Sequence, residues 1–239
     1  MSRFFYLWFL ISLISSTVNA NHFEKDCKAK YIVINTSKIL NDFIILSDGK
    51  LLSVIKNSDY LYLQQYNNCG SIDENYSMDK VILNKNNTIN AIILQKDGSA
   101  LLAGKYNNNF KIAKYDNTGS LDYSFGDKTY LARSGSVITT IGCCASISSM
   151  VFNKDNKIIA AGVSENKIAL ARYTTDGTLD NTFGKNGIEL VSLGLNNKIN
   201  SLTVDEDNKI IIAATIDDKQ VIIRFTHNGK LDTVFSTNC

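Results

Sequence analysis

Four aspartates recur at one place in a repeated pattern, and carboxylates so arranged invite a metal hypothesis. Asp73, Asp122, Asp180 and Asp232 each stand three residues after a glycine: Gly70, Gly119, Gly177 and Gly229. Calcium favours oxygen ligands, but it takes about six to eight of them and usually draws several acids from one loop. Each copy here offers a single carboxylate, so the expectation is that Asp and Gly are structural, with each Asp capping its own turn, and that no metal is held. A second set, Asp48, Asp97, Asp155 and Asp207, is likewise one per turn. Acid–base cleavage of a glycosidic bond needs two carboxylates about 5 to 10 Å apart, and nothing in the spacing selects such a pair.

Other reaction types find even less support. The two histidines are His22, near the N-terminus, and His227, in a turn, and neither has the setting of a buried, oriented base. There is no glycine loop of the phosphate-cradling kind. The five cysteines contain no Cys-x-x-Cys spacing, which argues against zinc. No catalytic residue and no cofactor is therefore assigned. Basic and acidic side chains number 25 and 23, a balance that gives no general electrostatic grip on nucleic acid.

Residues 1–20 have the order of a secretory signal peptide: a basic start at Arg3, an apolar run over residues 4–14, and the small-x-small exit Val18-Asn19-Ala20. Eleven apolar residues fall short of the ~20 that a helix needs to cross a bilayer, so cleavage after Ala20 and no stable membrane insertion are expected. The product would be periplasmic, cell-surface or secreted, and without Trp8 it would lack tryptophan. Export also permits disulfides. An odd cysteine count leaves at least one thiol over, and the adjacent Cys143 and Cys144 would bridge each other only under strain.

The elements that carry these residues come from a fourfold repeat spanning most of residues 21–239, read as one domain. An aromatic residue is followed by Gly after four positions, Asp after seven and a second aromatic after ten, beginning at Tyr66, Tyr115, Tyr173 and Phe225. Eighteen residues before each first aromatic stands Asp48-Gly49, Asp97-Gly98, Asp155-Asn156 or Asp207-Asn208. Those dipeptides suit tight hairpins in which both central residues take positive φ. Short β-branched runs flank them and read as strands buried on both faces. A third strand alternates, as over residues 110–115, 168–173 and 221–225, which predicts one face toward solvent.

A fourth strand follows at residues 81–83, 137–141 and 188–191, but the last copy has no room for one. Residues 31–35, Tyr-Ile-Val-Ile-Asn, form a strand without a copy of its own at the other end. The pattern predicts an all-β fold, a β-propeller of four four-stranded blades closed by this N-terminal strand completing the C-terminal blade. An open β-solenoid is the competing architecture; its coils are usually shorter, and it would not need the terminal strand.

The run from Ala171 to Ile188, Ala-Arg-Tyr-Thr-Thr-Asp-Gly-Thr-Leu-Asp-Asn-Thr-Phe-Gly-Lys-Asn-Gly-Ile, followed by Asp207-Asn208-Lys209-Ile210-Ile211-Ile212-Ala213, resembles the bacterial delta-60 repeat. The resemblance extends over nearly all of residues 31–239, closest in the third copy and weakest in the first and fourth. It implies a propeller of exported or surface-associated bacterial proteins and brings no catalytic residues with it.

Two features differ between copies. The second unit carries about nine extra residues, mostly at 127–134, and insertions in repeat arrays fall in surface loops that often carry function. Lys128, Tyr130, Leu131 and Arg133 there are candidate contacts for a protein or glycan partner. Cys239 falls four residues past the corner Phe235, where a fourth strand would begin, and Cys27 lies four residues before the strand at 31–35 that replaces it, so a disulfide between them is expected to lock the ring. The functional expectation is an exported, non-enzymatic binding or scaffold propeller; the alternative is an envelope hydrolase or lyase acting on glycans with carboxylates at the channel mouth.

Overall fold

A computed structural model describes residues 39–56, 60–76, 81–82, 87–126, 128–129 and 132–235. The signal segment, the closing strand at 31–35, Cys27 and Cys239 lie outside the described residues, as do Tyr130 and Leu131. No helix among the described residues is long and apolar enough to cross a membrane.

The β-branched runs fold into four antiparallel sheets. Blade 1 is β1 (Ile39–Ile45), β2 (Leu51–Lys56), β3 (Tyr60–Tyr66) and β4 (Val81–Ile82). Blade 2 opens with β5 (Asn87–Leu94), β6 (Ala100–Tyr106) and β7 (Asn109–Tyr115). A small hairpin, β8 (Lys128–Thr129) with β9 (Ala132–Arg133), then interrupts it before its fourth strand, β10 (Ser136–Thr139). Blade 3 is β11 (Ser146–Phe152), β12 (Ile158–Ser164), β13 (Lys167–Tyr173) and β14 (Ile188–Val191). Blade 4 has three described strands, β15 (Asn197–Val204), β16 (Ile210–Ile216) and β17 (Lys219–Phe225), so β17 is an edge among the described residues.

The turns differ from the sequence expectation. At the Asp-Gly and Asp-Asn sites only the second residue takes positive φ: 84° at Gly49, 85° at Gly98, 57° at Asn156 and 59° at Asn208. Leu46 N–H donates to Lys50 O at 2.8 Å and Gly49 N–H to Leu46 O at 2.9 Å, which defines a three-residue loop. Such a loop is a type I turn followed by one left-handed residue, so a single permissive position suffices. Two-residue turns with both residues left-handed do occur, but between second and third strands, at Asn107-Asn108, Glu165-Asn166 and Asp217-Asp218. Asn and Asp tolerate that conformation better than other residues with a Cβ; Glu165 is the exception.

Three apolar clusters lie between successive blades and form the core. One joins Leu52, Val54 and Leu63 of blade 1 to Ile92, Leu102 and Tyr115 of blade 2. The second joins Leu101, Phe110 and Ile112 to Ile147, Ile158 and Tyr173, and the third joins Ile159, Ile168 and Leu170 to Ile199, Ile210 and Phe225. A strand in a middle blade therefore has a neighbour on each face. This overturns the expectation of a solvent face for residues 168–173, all of which are buried. The charge of Arg172 is tolerated there because it is paired.

Each first strand carries a β-bulge at the same place, with Asn41, Asn90, Ser148 and Asn200 as the extra residues. First strands follow one another in the order β1, β5, β11, β15, each against the next. No comparable contact joins β15 back to β1 among the described residues. The four blades follow one another in this order, and the strand expected to close the circle lies outside the described residues.

Candidate functional site

The corner that follows each third strand holds the repeated Gly and Asp. The chain turns through Gly70, Gly119, Gly177 or Gly229, each at a φ between 82° and 89°. It then returns along the strand it left: Asp122 N–H donates to Lys114 O, Asp180 N–H to Arg172 O and Asp232 N–H to Arg224 O, at 2.8 to 2.9 Å. One carboxylate oxygen of each Asp accepts a backbone N–H two residues on, from Asn75, Ser124, Thr182 or Val234. The other faces a cation: Lys50 at 2.9 Å from Asp73, Lys114 at 3.0 Å from Asp122, Arg172 at 2.7 Å from Asp180 and Arg224 at 2.8 Å from Asp232.

In blade 3 this pair is buried and Lys157 joins it at 2.7 Å. Burial alone would raise the carboxyl pKa of Asp180. Hydrogen bonds from Lys157 and Thr182 and the charge of Arg172 outweigh burial and hold it well below the usual carboxylate range. Carboxylates so engaged are turn anchors, with no free oxygen directed at a substrate. Among the described residues no group of three or more His, Cys, Asp and Glu is placed to hold a metal ion.

The second aromatic of the motif locks one blade to the next. A Cβ on Gly177 would stand 2.8 Å from Cζ of Phe125, and one on Gly229 would stand 2.6 Å from Cζ of Phe183. The ring of one blade thus fills the space left by the missing side chain in the turn of the next. Beside each ring a backbone bond crosses the same seam, Gly126 N–H to Asp176 O at 2.8 Å and Gly184 N–H to Asn228 O at 2.9 Å. Tyr76 of blade 1 is buried in the equivalent place, and burial, with Asp116 across the seam, pushes its phenol up.

Blade 4 has no successor among the described residues, and the same positions there are open. Ile222 is 65% exposed, whereas its counterparts Leu63, Ile112 and Leu170 are 2% exposed or less. Phe235 and Val234 are exposed as well, with the Arg224 guanidinium 4.4 Å from the centre of the Phe235 ring. Around this apolar centre the polar groups are satisfied within the blade: Asn200 Nδ2 donates to Thr215 Oγ1 and Gln220 Oε1, and Arg224 pairs with Asp232. An apolar centre inside a satisfied polar rim is the anatomy of a protein-binding patch.

A second feature is an open cleft of about 440 Å³ between blades 2 and 3, lined by Val137, Thr139, Gly177, Thr178 and Ile188 among others. Its described lining presents hydroxyls and methyl groups and no titratable side chain. The structure places Lys128 and Arg133 opposite each other in the inserted hairpin. His227 is exposed in its turn, and its carbonyl accepts a bond from Arg172 at 2.6 Å.

Cys69 is disulfide-bonded, and Cys143 and Cys144 are free. Cys27 and Cys239, the pair expected to latch the ring, lie outside the described residues.

Sequence reasoning missed the bulge residues. Asn90 reaches across the seam to donate to Ile147 O at 2.6 Å, tying one first strand to the next. The signal was available as a polar residue 25 positions before the first aromatic in every copy. Asp42, beside the first bulge, accepts a bond from Ile92 N–H of blade 2 at 3.0 Å, and its burial pushes its carboxyl pKa up.

Comparison with known proteins agrees with this geometry. Residues 95–125 and 154–183 match the family described as a domain of unknown function (DUF5122) beta-propeller. Virginiamycin B lyase from Staphylococcus aureus, in a catalytically inactive form with quinupristin, is similar in fold at a TM-score of 0.53 and 16% identity, covering 84% of this chain and 57% of that one. A protein from Lactobacillus plantarum gives a TM-score of 0.52 at 17% identity, covering 81% of this chain and 53% of that one. This chain therefore spans just over half the length of those two structures. At such identities the likeness concerns fold alone. No curated protein matches the chain. The four sheets, the seam between them and the family match together show a chain built of β-propeller repeats.

Proposed function

We propose that this protein is an exported, non-enzymatic binding or scaffold β-propeller of the delta-60 type, cleaved after Ala20, whose single domain over residues 21–239 associates through the outward face of blade 4. The observation that carries the reading is Ile222, open to solvent at a position buried in the other three blades.

The occupant is a second copy of this chain. Ile211, Ala213, Ile222 and Phe235 continue the apolar surface that each earlier blade offers its successor, and apolar and aromatic anchors of this kind dominate binding energies. The opposite end of the series is less available, because Ile55, Tyr62 and Tyr66 of blade 1 are buried. The two copies therefore meet face to face about a two-fold axis.

Light scattering on the exported form tests this. A dimer that Ile222→Lys converts to a monomer with unchanged circular dichroism is the expected result, and a wild-type monomer at the highest soluble concentration overturns it. A glycan array on the same sample separates sugar binding from protein association. The lyase or hydrolase alternative rests on a fold likeness alone; turnover on a glycan panel that vanished with one carboxylate replacement would reinstate it.

A further inference from the structure

Cys143 and Cys144 lie in the loop between β10 and β11, outside every role assigned so far. Both are free and exposed, whereas an inert cysteine is usually a buried one. In extended chain, neighbouring side chains point to opposite sides. Here Cys144 is left-handed at φ 62°, and the turn leaves the two thiols near enough that Cys144 pushes the Cys143 thiol pKa up.

The loop is held from three sides. Cys143 N–H donates to Glu165 Oε1 at 3.0 Å, Ser164 Oγ donates to Cys143 O at 3.1 Å, and Ala145 N–H donates to Asn108 O at 2.9 Å. Gly142 is needed as well, since a Cβ there would stand 2.5 Å from Glu165 Oε1.

The matching loop of blade 4 separates what is scaffold from what is special. Gly194-Leu195-Asn196 repeats the device: a Cβ on Gly194 would meet Asp217 at 2.5 Å, and the N–H groups of Leu195 and Asn196 donate to Asp217 Oδ1 at 3.1 and 2.9 Å. Asn196 is not among the left-handed residues. The carboxylate clasp therefore belongs to the repeat, while the left-handed residue that gathers the two side chains belongs to the cysteine pair. A non-glycine residue in that conformation is strained and persists where the surroundings over-determine it, as they do at ligand-holding sites.

We propose that Cys143 and Cys144 form a dithiol site for a thiophilic ion, both sulfurs binding one soft centre such as Cu(I), which thiolates select. Phenylarsine oxide probes that geometry without redox change. Two S–H bonds and the arsenic–oxygen bond break, two arsenic–sulfur bonds form, and both protons leave with the oxygen as water.

The test uses the full chain with its Cys69 disulfide retained, and intact mass. One arsenical per chain, stable to excess glutathione and removed by dimercaptopropanol, is expected, and both Cys143→Ser and Cys144→Ser should lose it. Titration with Cu(I) against a competing chelator should lose one tightly held equivalent in the same variants. A glutathione-stable adduct that survives both serine changes, or a wild type that takes none, overturns the proposal. So does recovery of the pair as a mutual disulfide that mild reductant leaves intact.

Discussion

Blades 3 and 4 are nearly one blade written twice, yet their energetics differ because one has a neighbour on each face and the other does not. Leu170 and Ile222 occupy the same position on the third strand at 1% and 65% exposure. Phe183 is fully buried on the turn of the next blade, and Phe235, its equivalent, is 38% exposed. Arg172 with Asp180 is a buried pair in which Lys157 takes part; Arg224 with Asp232 repeats the contact at 2.8 Å with a more exposed guanidinium. Local structure follows the motif, whereas the stability it brings follows the neighbour.

The largest effect separating the blades should come from the aromatic that crosses the seam. Phe183→Ala is expected to cost about 3–5 kcal/mol through the cavity it leaves, and Phe235→Ala no more than about 1 kcal/mol as a surface change. Urea unfolding of both variants checks this, and equal losses would break the comparison.

Next comes the corner ion pair. Asp180→Ala strands the buried Arg172 and should cost about 3 kcal/mol, while Asp232→Ala, whose partner is partly solvated, should cost distinctly less. Titration sharpens this contrast. The folded pKa of Asp180 is depressed below 3.8. Its ionised form therefore stabilises the fold above that ordinary value, and the contribution fades as pH falls from there toward the folded pKa. Asp180→Asn should flatten the acid side of the stability curve more than Asp232→Asn does, as read from denaturant midpoints along a pH series.

The smallest stability effect is expected at Ile222. Ile222→Lys should leave the unfolding midpoint within about 0.5 kcal/mol of wild type while abolishing association, and Leu170→Lys should fail to fold. Destabilisation of similar size in the two would mean that Ile222 already has a partner within the chain.

Much of the architecture was legible because the motif residues do local jobs. Glycine at Gly177 and Gly229 answers both a positive φ and a ring packed against the Cα, and the spacing of Asp to its own turn is a property of a few consecutive residues. The placement of the hairpins was readable, but the turn type was not. Asp-Gly fits both a two-residue and a three-residue loop, and the choice rests on how the strands register. Reading residues 168–173 as half exposed failed for a related reason. Alternation records the chemistry of side chains and cannot tell water from a second sheet once Arg172 has a buried partner. The clasp of Glu165 on Cys143 spans 22 residues and left no mark in the local pattern.

The amino-acid sequence by itself determined the number of repeats, the order of strands within each and the corner that every copy builds, since each of these depends on contacts within about fifty residues of chain. Which faces are buried, that Cys69 holds a disulfide and that Cys144 turns left-handed beside Cys143 were decided only in three dimensions. Packing between sheets joins residues whose separation along the chain carries no periodic signal, so the same side chain is core in one blade and surface in the next.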